Sequence, residues 1–191
     1  MQKDLLTEQL SHTSDAERRF GGLKRLYGAQ SGVALQYAHV AVVGIGGVGS
    51  WAAEALARSG VGALTLIDLD HVGESNINRQ VHALTETLGQ SKIAAMAQRI
   101  QSIHPDCRLT LIDDFLTPEN VQQLLPAELS IVLDCTDQVA AKIAMVLQSR
   151  ARKQALIVCG GAGGKTNSLA LQAGDLVEAN AAAVGERQFQ F

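Results

Sequence analysis

A glycine-rich segment in the first third of the chain has the spacing of a phosphate-binding turn. The run Gly44-Ile45-Gly46-Gly47-Val48-Gly49 matches G-x-G-x-x-G, and it lies between a short β-branched run and a helical pattern. In that context glycine permits a tight turn and lets backbone N–H groups approach a phosphate. We therefore predict that Gly44, Gly46, Gly47 and Gly49 frame a nucleotide site. Asp68 ends the next strand, where a ribose hydroxyl is usually held.

Cationic and acidic side chains follow this turn along the chain. Arg79 belongs to the polar segment 76–80, and Lys92 opens a helix, where an ammonium opposes the helix dipole and so favours a functional role. Asp134 and Asp137 lie at the carboxyl end of the fourth predicted strand, facing the crevice where open α/β sheets bind ligands. Two acids and two cations beside a phosphate-cradling turn fit the chemistry of a magnesium-bound triphosphate. Taken singly, each has a structural alternative: either cation could be solvated surface, Asp134 could be a cap or turn residue, and Asp137 could cap the helix from Val139.

The elements that would position these residues alternate between strand and helix. Short apolar runs predict five strands, at His39–Gly44, Ala63–Leu69, Arg108–Ile112, Leu129–Asp134 and Ala155–Cys159. Helical patterns precede, separate or follow them, at 16–36, 50–58, 92–103, 118–125 and 139–153. This alternation predicts an α/β protein with a doubly wound, mostly parallel sheet. Thr166–Gln172 could form one more strand.

Length and composition favour one globular domain. The chain has 191 residues, of which 47% are apolar and 18% are charged, so disorder is excluded as its general state. We expect a polar lead-in at 1–15, one domain at 16–178 and an irregular, truncated segment at 179–191. The net charge of −3 argues against a chain-wide nucleic-acid surface. Two local basic groups remain, formed by Arg18, Arg19, Lys24 and Arg25, and by Arg150, Arg152 and Lys153.

The cysteines and the apolar segments limit the class of protein further. Cys107, Cys135 and Cys159 form no C-x-x-C pair, which excludes a cysteine-rich zinc ribbon in this sequence and makes a disulfide scaffold improbable. Cys135 and Cys159 fall on predicted strands, so inert packing is the favoured interpretation. The first ten residues lack a signal-peptide pattern, and the longest apolar region is broken by glycines and Glu54. A cytoplasmic protein without a membrane partner is therefore the expectation.

Five motifs, read in order, resemble the E1-like adenylating family, whose members activate a carboxylate with ATP. They are GIGGVGS, LIDLD, NxNRQ, GQSK and DCTDQ, and the resemblance runs from Arg19 to Gly164. Within that family, RFGGLKRLYG and CGGAGGK resemble the tRNA threonylcarbamoyladenosine dehydratases, which close the threonylcarbamoyl side chain of a modified adenosine into a ring. The resemblance implies a Rossmann-like, E1-type ATP-binding fold over residues 16–178.

The resemblance also implies roles for individual residues. Asp70 and Asn76 would lie at the phosphate side, Arg79 and Lys92 would neutralise the triphosphate, and Asp137 would hold Mg²⁺. An arginine near the N-terminus would reach the phosphates across a homodimer, and Arg25 matches it better than Arg19. The implied catalytic set is therefore Arg25, Arg79, Lys92 and Asp137.

The same resemblance implies substrates and partners. They are ATP, tRNA that carries threonylcarbamoyladenosine, and a second copy of the chain. A monovalent cation (Na⁺ or K⁺) and a cysteine desulfurase or sulfur-acceptor protein would be further partners.

Other functions stay open on the sequence. One is adenylation of the C-terminal glycine of a sulfur-carrier protein, which would need a groove for an extended peptide tail. Another is an NAD-dependent oxidoreductase, which would leave Arg79, Lys92 and Asp137 without roles. A third is a nucleotide-binding scaffold that catalyses nothing.

Overall fold

The structure, a computed structural model, describes residues 15–161, 163, 166, 167, 169, 171 and 173–175. The chain divides into two units, residues 1–161 and 162–191, and the whole sheet belongs to the first. The predicted lead-in, apart from Asp15, and the segment 179–191 lie outside the described residues. The domain boundaries therefore stay predictions. Of the additional strand expected at 166–172, residues 166, 167, 169 and 171 are described, and none of these four lies in a strand.

Five strands form one parallel sheet, which confirms the predicted fold class. The strands are β1 (His39–Val43), β2 (Ala63–Ile67), β3 (Arg108–Ile112), β4 (Ile131–Asp134) and β5 (Ala155–Val158). Their order in the sheet is β3-β2-β1-β4-β5. The chain therefore builds outward from β1 on one side, then crosses back to add β4 and β5 on the other. In open α/β sheets, ligands bind at the carboxyl ends of the strands where this direction reverses, here between β1 and β4.

In the described part of the chain, six α-helices accompany the sheet. They are α1 (Ala16–Tyr27), α2 (Ala29–Tyr37), α3 (Gly49–Arg58), α4 (Lys92–Ile103), α5 (Val121–Leu124) and α6 (Val139–Arg152). Two short 3-10 turns, Glu74–Asn76 and Thr85–Thr87, lie between β2 and α4. None of the helices in the described part of the chain combines the length and the apolar character needed to cross a membrane.

The two faces of the sheet bury separate apolar cores. Alternate residues of β1 point to opposite faces: Val40 and Val42 pack with residues of α3 and α4, whereas Ala41 and Val43 pack with residues of α5 and α6. Both faces are thus covered, which explains why the strands read as continuous apolar runs rather than alternating ones. A rigid, doubly covered sheet fixes the positions of the loops at its carboxyl edge.

Several element boundaries differ from the predicted ones for local reasons. The helical pattern at 16–36 is two helices, because Gly28 has a φ of +89°. β2 ends at Ile67 rather than Leu69, because the carboxylate of Asp68 turns back to accept two backbone hydrogen bonds. The helix expected at 118–125 covers only 121–124. Before it, the Thr117 hydroxyl accepts the Glu119 N–H at 3.3 Å, and the side chain of Asn120 accepts the Thr117 N–H at 2.7 Å, so these two bonds close a turn ahead of the helix.

Candidate nucleotide site

The glycine turn connects β1 to α3 at the switch point of the sheet. Gly44 has a φ of +85°, and its N–H donates to the Ile67 carbonyl at 2.9 Å. A Cβ on Gly49 would lie 1.8 Å from the Gly44 carbonyl oxygen, so only glycine fits there. Helix α3 begins at once, without a side-chain cap on its first N–H groups. Uncapped N–H groups at the start of a helix suit an anion.

Asp68 anchors this turn to the end of β2. The side chain of Asp68 is 7% exposed. Its Oδ2 accepts the Ile45 N–H at 2.6 Å, and its Oδ1 accepts the Asp70 N–H at 2.8 Å. Each carboxylate oxygen has a second lone pair, so these bonds leave acceptor capacity for a hydroxyl group. The residue predicted to hold a ribose therefore also holds the turn.

Arg79 lies against the glycine turn, as its predicted role requires. The Cγ and Cδ atoms of Arg79 are 3.4 Å from the point where a Gly47 Cβ would stand, so Gly47 makes room for the arginine stem. The guanidinium donates from Nη1 to the Ser75 carbonyl at 2.7 Å and to Asn78 Oδ1 at 3.0 Å. Arg79 remains exposed, and its guanidinium pairs with no carboxylate of the described residues. Its charge is available to an anion.

Asn76 holds the loop that carries Arg79. Its Oδ1 accepts the Gly73 N–H at 2.9 Å, and its backbone carbonyl accepts N–H bonds from Arg79 at 3.1 Å and Gln80 at 2.9 Å. These contacts give Asn76 a structural role in shaping the loop. Its implied contact with the phosphates stays a prediction.

Lys92 is buried and paired, so the alternative of a solvated surface lysine is wrong. Its side chain is 8% exposed, and its Nζ lies 2.7 Å from Asp70 Oδ2. The backbone N–H of Lys92 also donates to the Asp70 carbonyl at 2.9 Å. An ion pair and a backbone hydrogen bond therefore both hold the start of α4 to the loop after β2. The side chain of Asp70 is 54% exposed. The Asp70 side of this ion pair is therefore exposed to solvent, at the carboxyl edge of the sheet.

The two carboxylates after β4 have different environments. Asp134 is fully buried: its Oδ2 accepts from Lys142 Nζ at 2.9 Å, and its Oδ1 accepts from the Thr136 hydroxyl at 2.8 Å. It is a structural residue, and the sequence was wrong to place both acids in the crevice. Asp137 is exposed, and its carboxylate has no hydrogen bond or ion pair within the described part of the chain. It does not cap α6 either, because the N-cap of α6 is Gln138.

The two N-terminal arginines, Arg19 and Arg25, form no hydrogen bond with the described residues of the glycine turn of their own chain. The guanidinium of Arg19 donates to the Ile103 carbonyl at 2.7 Å, at the end of α4 and so at the amino edge of the sheet. Arg25, near the end of α1, forms no hydrogen bond or ion pair with the described residues of the glycine turn, Arg79, Lys92 or Asp137. This arrangement does not conflict with the expectation that Arg25 acts on another copy.

Sequence reasoning missed two charged or titratable groups next to the site. Glu54 on α3 is buried and forms ion pairs with Arg58 and with Arg99 on α4. His82 is 1% exposed, and neither ring nitrogen has a partner among the described residues. Burial, followed by the charges of Lys92 and Arg99, lowers the pKa of His82 to about 4, so its ring is neutral at pH 7. The i, i+4 spacing signals the Glu54–Arg58 pair, whereas the burial of His82 has no signal in the sequence.

Comparisons with known proteins agree with this architecture. The chain is 51% identical over 166 residues to the tRNA threonylcarbamoyladenosine dehydratase of Escherichia coli K12, covering 86% of this chain and 62% of that protein. It is 44% identical over 167 residues to the protein of the same name from Haemophilus influenzae, covering 87% and 64%. The chain thus spans less than two thirds of the length of these curated relatives.

A solved structure and a family model extend the comparison to the fold. The crystal structure of the Escherichia coli dehydratase in complex with ATP superimposes with a TM-score of 0.84 at 50% identity, covering 86% of this chain and 68% of that one. The ThiF family model matches residues 22–183, which include the glycine turn, Arg79, Lys92 and Asp137. The chain therefore belongs to the ThiF family, and the resemblance to E1-like adenylating proteins is confirmed.

Proposed function

We propose that this protein binds ATP at the glycine turn and adenylates the carboxylate of threonylcarbamoyladenosine in tRNA, which then cyclises with net loss of water. The observation that carries the proposal is the position of Arg79, whose stem packs on Gly47 while its guanidinium stays free of carboxylates in the described residues. An NAD-dependent oxidoreductase would have no use for that cation. The tRNA substrate rests on the similarity to the dehydratases, one of which was crystallised with ATP.

The chemistry follows from the charges around the turn. A carboxylate oxygen of the substrate attacks the α-phosphorus of ATP, and pyrophosphate leaves. Negative charge on the leaving group is neutralised by Arg79 and by the ammonium of Lys92, which lies with Asp70 at the same edge of the sheet. Such positioning and charge stabilisation account for most of the catalysis of phosphoryl-type transfers. A nitrogen or oxygen of the same side chain then attacks the acyl-adenylate and releases AMP.

Asp137 is the residue that fits a magnesium ion. Mg²⁺ is usually held by one or two carboxylates together with substrate phosphates, and it neutralises phosphate charge when bound. Asp137 offers an exposed carboxylate without a hydrogen bond in the described residues, whereas Asp134 is saturated by Lys142 and Thr136. No group of three or more metal-binding side chains occurs among the described residues.

Asp137→Asn tests that assignment. Because the Asp137 carboxylate is exposed and forms no hydrogen bond or ion pair with the described residues, we expect an unchanged melting temperature. ATP turnover should fall by at least about a hundredfold, since a charged metal ligand is lost. Glu128→Gln, at an exposed carboxylate before β4 and so at the opposite, amino edge of the sheet, is the control. Wild-type turnover of Asp137→Asn at limiting Mg²⁺ would show that the metal role is wrong.

A second copy of the chain would complete the site with Arg25. This part of the proposal rests on the family resemblance and on exposed apolar residues near Arg25. Leu26 is 70% exposed and Tyr27 is 65% exposed, at the end of α1. Mixing Arg25→Ala with Lys92→Ala subunits should restore activity if each supplies what the other lacks. The cytoplasmic location, the monovalent cation and the sulfur-transfer partner stay predictions.

Turnover of labelled ATP tests the proposed function as a whole. The protein is incubated with α-labelled ATP and with tRNA that carries or lacks the threonylcarbamoyl group. We expect AMP and pyrophosphate only with the modified tRNA, together with a loss of one water from the nucleoside. A requirement for a sulfur-carrier protein would favour the alternative adenylyltransferase. Tight binding of NAD without ATP turnover would overturn the proposal.

A further inference from the structure

Two thiols meet beside the glycine turn. Asp134 and Val158 are paired in the register of β4 and β5, and the Cys159 N–H continues the ladder to the Asp134 carbonyl at 2.8 Å. Cys135 and Cys159 therefore follow at the next position of the two strands. Their Sγ atoms are 3.9 Å apart, and both residues are half-buried. The sequence predicted inert packing inside the strands, but the structure puts both cysteines just past the strand ends and in contact.

The backbone spacing at this point permits a bond between the two sulfurs. Neighbouring strands lie about 4.8 Å apart. Disulfide-bonded cysteines have Cα atoms about 4.4–6.8 Å apart, so the pair needs side-chain rotation rather than movement of the strands. We propose that Cys135 and Cys159 are a reversible oxidation site, at which an intramolecular disulfide forms and weakens binding of the nucleotide at the adjacent glycine turn. The effect on nucleotide binding rests on the proposed function.

The environment of the two thiols assigns their roles in the reaction. The thiol of Cys135 donates to Cys159 Sγ. This hydrogen bond, and after it the Lys142 ammonium, holds the pKa of Cys159 below its ordinary value. Burial raises the pKa of Cys107 to about 11. Since the thiolate is the nucleophile, Cys159 reacts first and Cys107 does not compete.

The reaction balances with a disulfide such as oxidised glutathione as the oxidant. The Cys159 thiolate attacks one sulfur of the oxidant, a mixed disulfide forms, and one glutathione thiolate leaves. Cys135 then loses its proton and attacks the Cys159 sulfur, which releases the second glutathione. Two thiols are oxidised, one disulfide is reduced, and an added thiol reverses both steps. The second step is intramolecular between atoms already in contact, so it outcompetes a second external disulfide.

Contacts of Cys135 link this bond to the turn. Its carbonyl carbon and oxygen are 3.1 Å from the point where a Gly44 Cβ would stand, and its Cβ is 3.2 Å from the corresponding point at Gly49. The backbone of Cys135 also donates to the Val43 carbonyl at 2.8 Å. Closing the distance between the sulfurs from 3.9 Å to the about 2.05 Å of a disulfide takes side-chain rotation together with a small shift of the Cys135 Cβ, which packs directly on the turn. A misplacement of about 1 Å in a packed site costs up to about a hundredfold in rate.

The experiment uses the full chain with Cys107→Ser, so that only the proposed pair can react. The reduced protein is exposed to oxidised glutathione, free thiols are blocked, and the peptides are mapped by mass spectrometry. We expect one linked peptide that contains Cys135 and Cys159, and its loss on reduction. In the matched variant Cys135→Ser we expect a stable mixed disulfide of Cys159 with glutathione, because no resolving thiol is present. Mixed disulfides alone in the Cys107→Ser protein, or unreacted thiols, would overturn the oxidation site.

The affinity for ATP is then measured for the reduced and the oxidised Cys107→Ser protein. We expect binding at least about tenfold weaker after oxidation, restored by reduction. Equal affinities would overturn the effect on binding while the linked peptide still establishes the oxidation site. A reduced protein that binds no ATP would overturn the proposed function and the effect on binding together, and the peptide map would remain decisive for the disulfide.

Discussion

The four glycines of the turn serve different purposes, which the structure separates. Gly49 is needed for the fold, because a Cβ there would collide with the Gly44 carbonyl oxygen at 1.8 Å. Gly44 needs its φ of +85°, and Gly47 leaves room for the stem of Arg79. At Gly46, by contrast, a Cβ would meet no described atom within 4 Å, and φ is not positive. Nothing in the fold therefore requires glycine at position 46, whereas a phosphate close to the backbone would.

Gly46→Ala separates binding from folding at this residue. We expect a melting temperature close to that of the wild type and an affinity for ATP at least about tenfold weaker, equivalent to about 1.4 kcal/mol. The reason is that the added methyl group occupies space that the phosphate would need. Calorimetric titration with ATP and thermal denaturation measure the two quantities.

Gly49→Ala is the contrasting variant, since its methyl group has no space in the fold. We expect a loss of stability of about 1–3 kcal/mol or more, because the backbone must shift to admit the added carbon. Unchanged ATP affinity in Gly46→Ala would mean that the nucleotide does not approach this part of the turn. A stable Gly49→Ala protein would contradict the close packing between residues 44 and 49.

At the scale of elements, α3 and α4 are joined by charge as well as by apolar packing. Glu54 is 6% exposed and accepts from Arg58 Nε at 2.8 Å, one turn along α3, and from the guanidinium of Arg99 on α4. The hydrogen bond from Arg99, and after it that from Arg58, lowers the pKa of the Glu54 carboxyl below its ordinary value of 4.5. α3 begins at the glycine turn and α4 begins at Lys92, so this pair sets the spacing between two parts of the site.

Glu54→Ala should lower the free energy of unfolding by about 1–2 kcal/mol at pH 7, because two guanidinium groups lose a buried acceptor and can still reach water. The native carboxyl has a lowered pKa, so its contribution is present above pH 4.5 and is lost as the pH falls through the native pKa. The difference in free energy of unfolding between the wild type and Glu54→Ala, measured by urea denaturation, should therefore become smaller at low pH. Arg58→Ala, which removes only an exposed i, i+4 partner, should cost about 0.3–0.5 kcal/mol. A difference that does not change with pH would contradict the ion pair.

The sequence was informative where a local pattern determines structure. The five strands, α3, α4 and α6 were predicted to within one or two residues, because buried parallel strands are continuous apolar runs. Glycine or proline signals also mark the ends of two helices, Gly60 after α3 and Pro105 after α4. The turn and Arg79 were predicted from short motifs. The ion-pair partners of Asp134, Lys92 and Arg99 could not be predicted from the sequence, because pairs between residues many positions apart depend on how the elements pack. The contact between Cys135 and Cys159 likewise requires the register of β4 and β5.

At the scale of the whole molecule, the residues of the two predicted basic groups differ in whether their charged ends are already bonded within the fold. Arg152 is committed to the fold, because its guanidinium donates to the Leu125 and Gln122 carbonyls. Arg150 and Lys153, at the end of α6, are exposed and pair with no carboxylate of the described residues. In α1, Lys24 is paired with Glu17 and Arg19 with the end of α4. The end of α6 is therefore the better supported surface for the proposed contact with the phosphates of tRNA.

Arg150→Glu combined with Lys153→Glu tests that surface while leaving Arg152 in place. We expect an unchanged fold, weaker binding of tRNA irrespective of its sequence, and a dependence of the binding constant on salt that is lower by about two phosphate contacts. Filter binding at several salt concentrations gives both quantities. Arg108→Glu is the control, because Arg108 is exposed on β3, at the opposite edge of the sheet. It should change both the affinity for tRNA and its salt dependence by much less than the double variant does. Equal binding of the double variant and the wild type across the salt range would assign tRNA contact to another surface, with α1 the next to examine because Arg18 and Arg25 lie there.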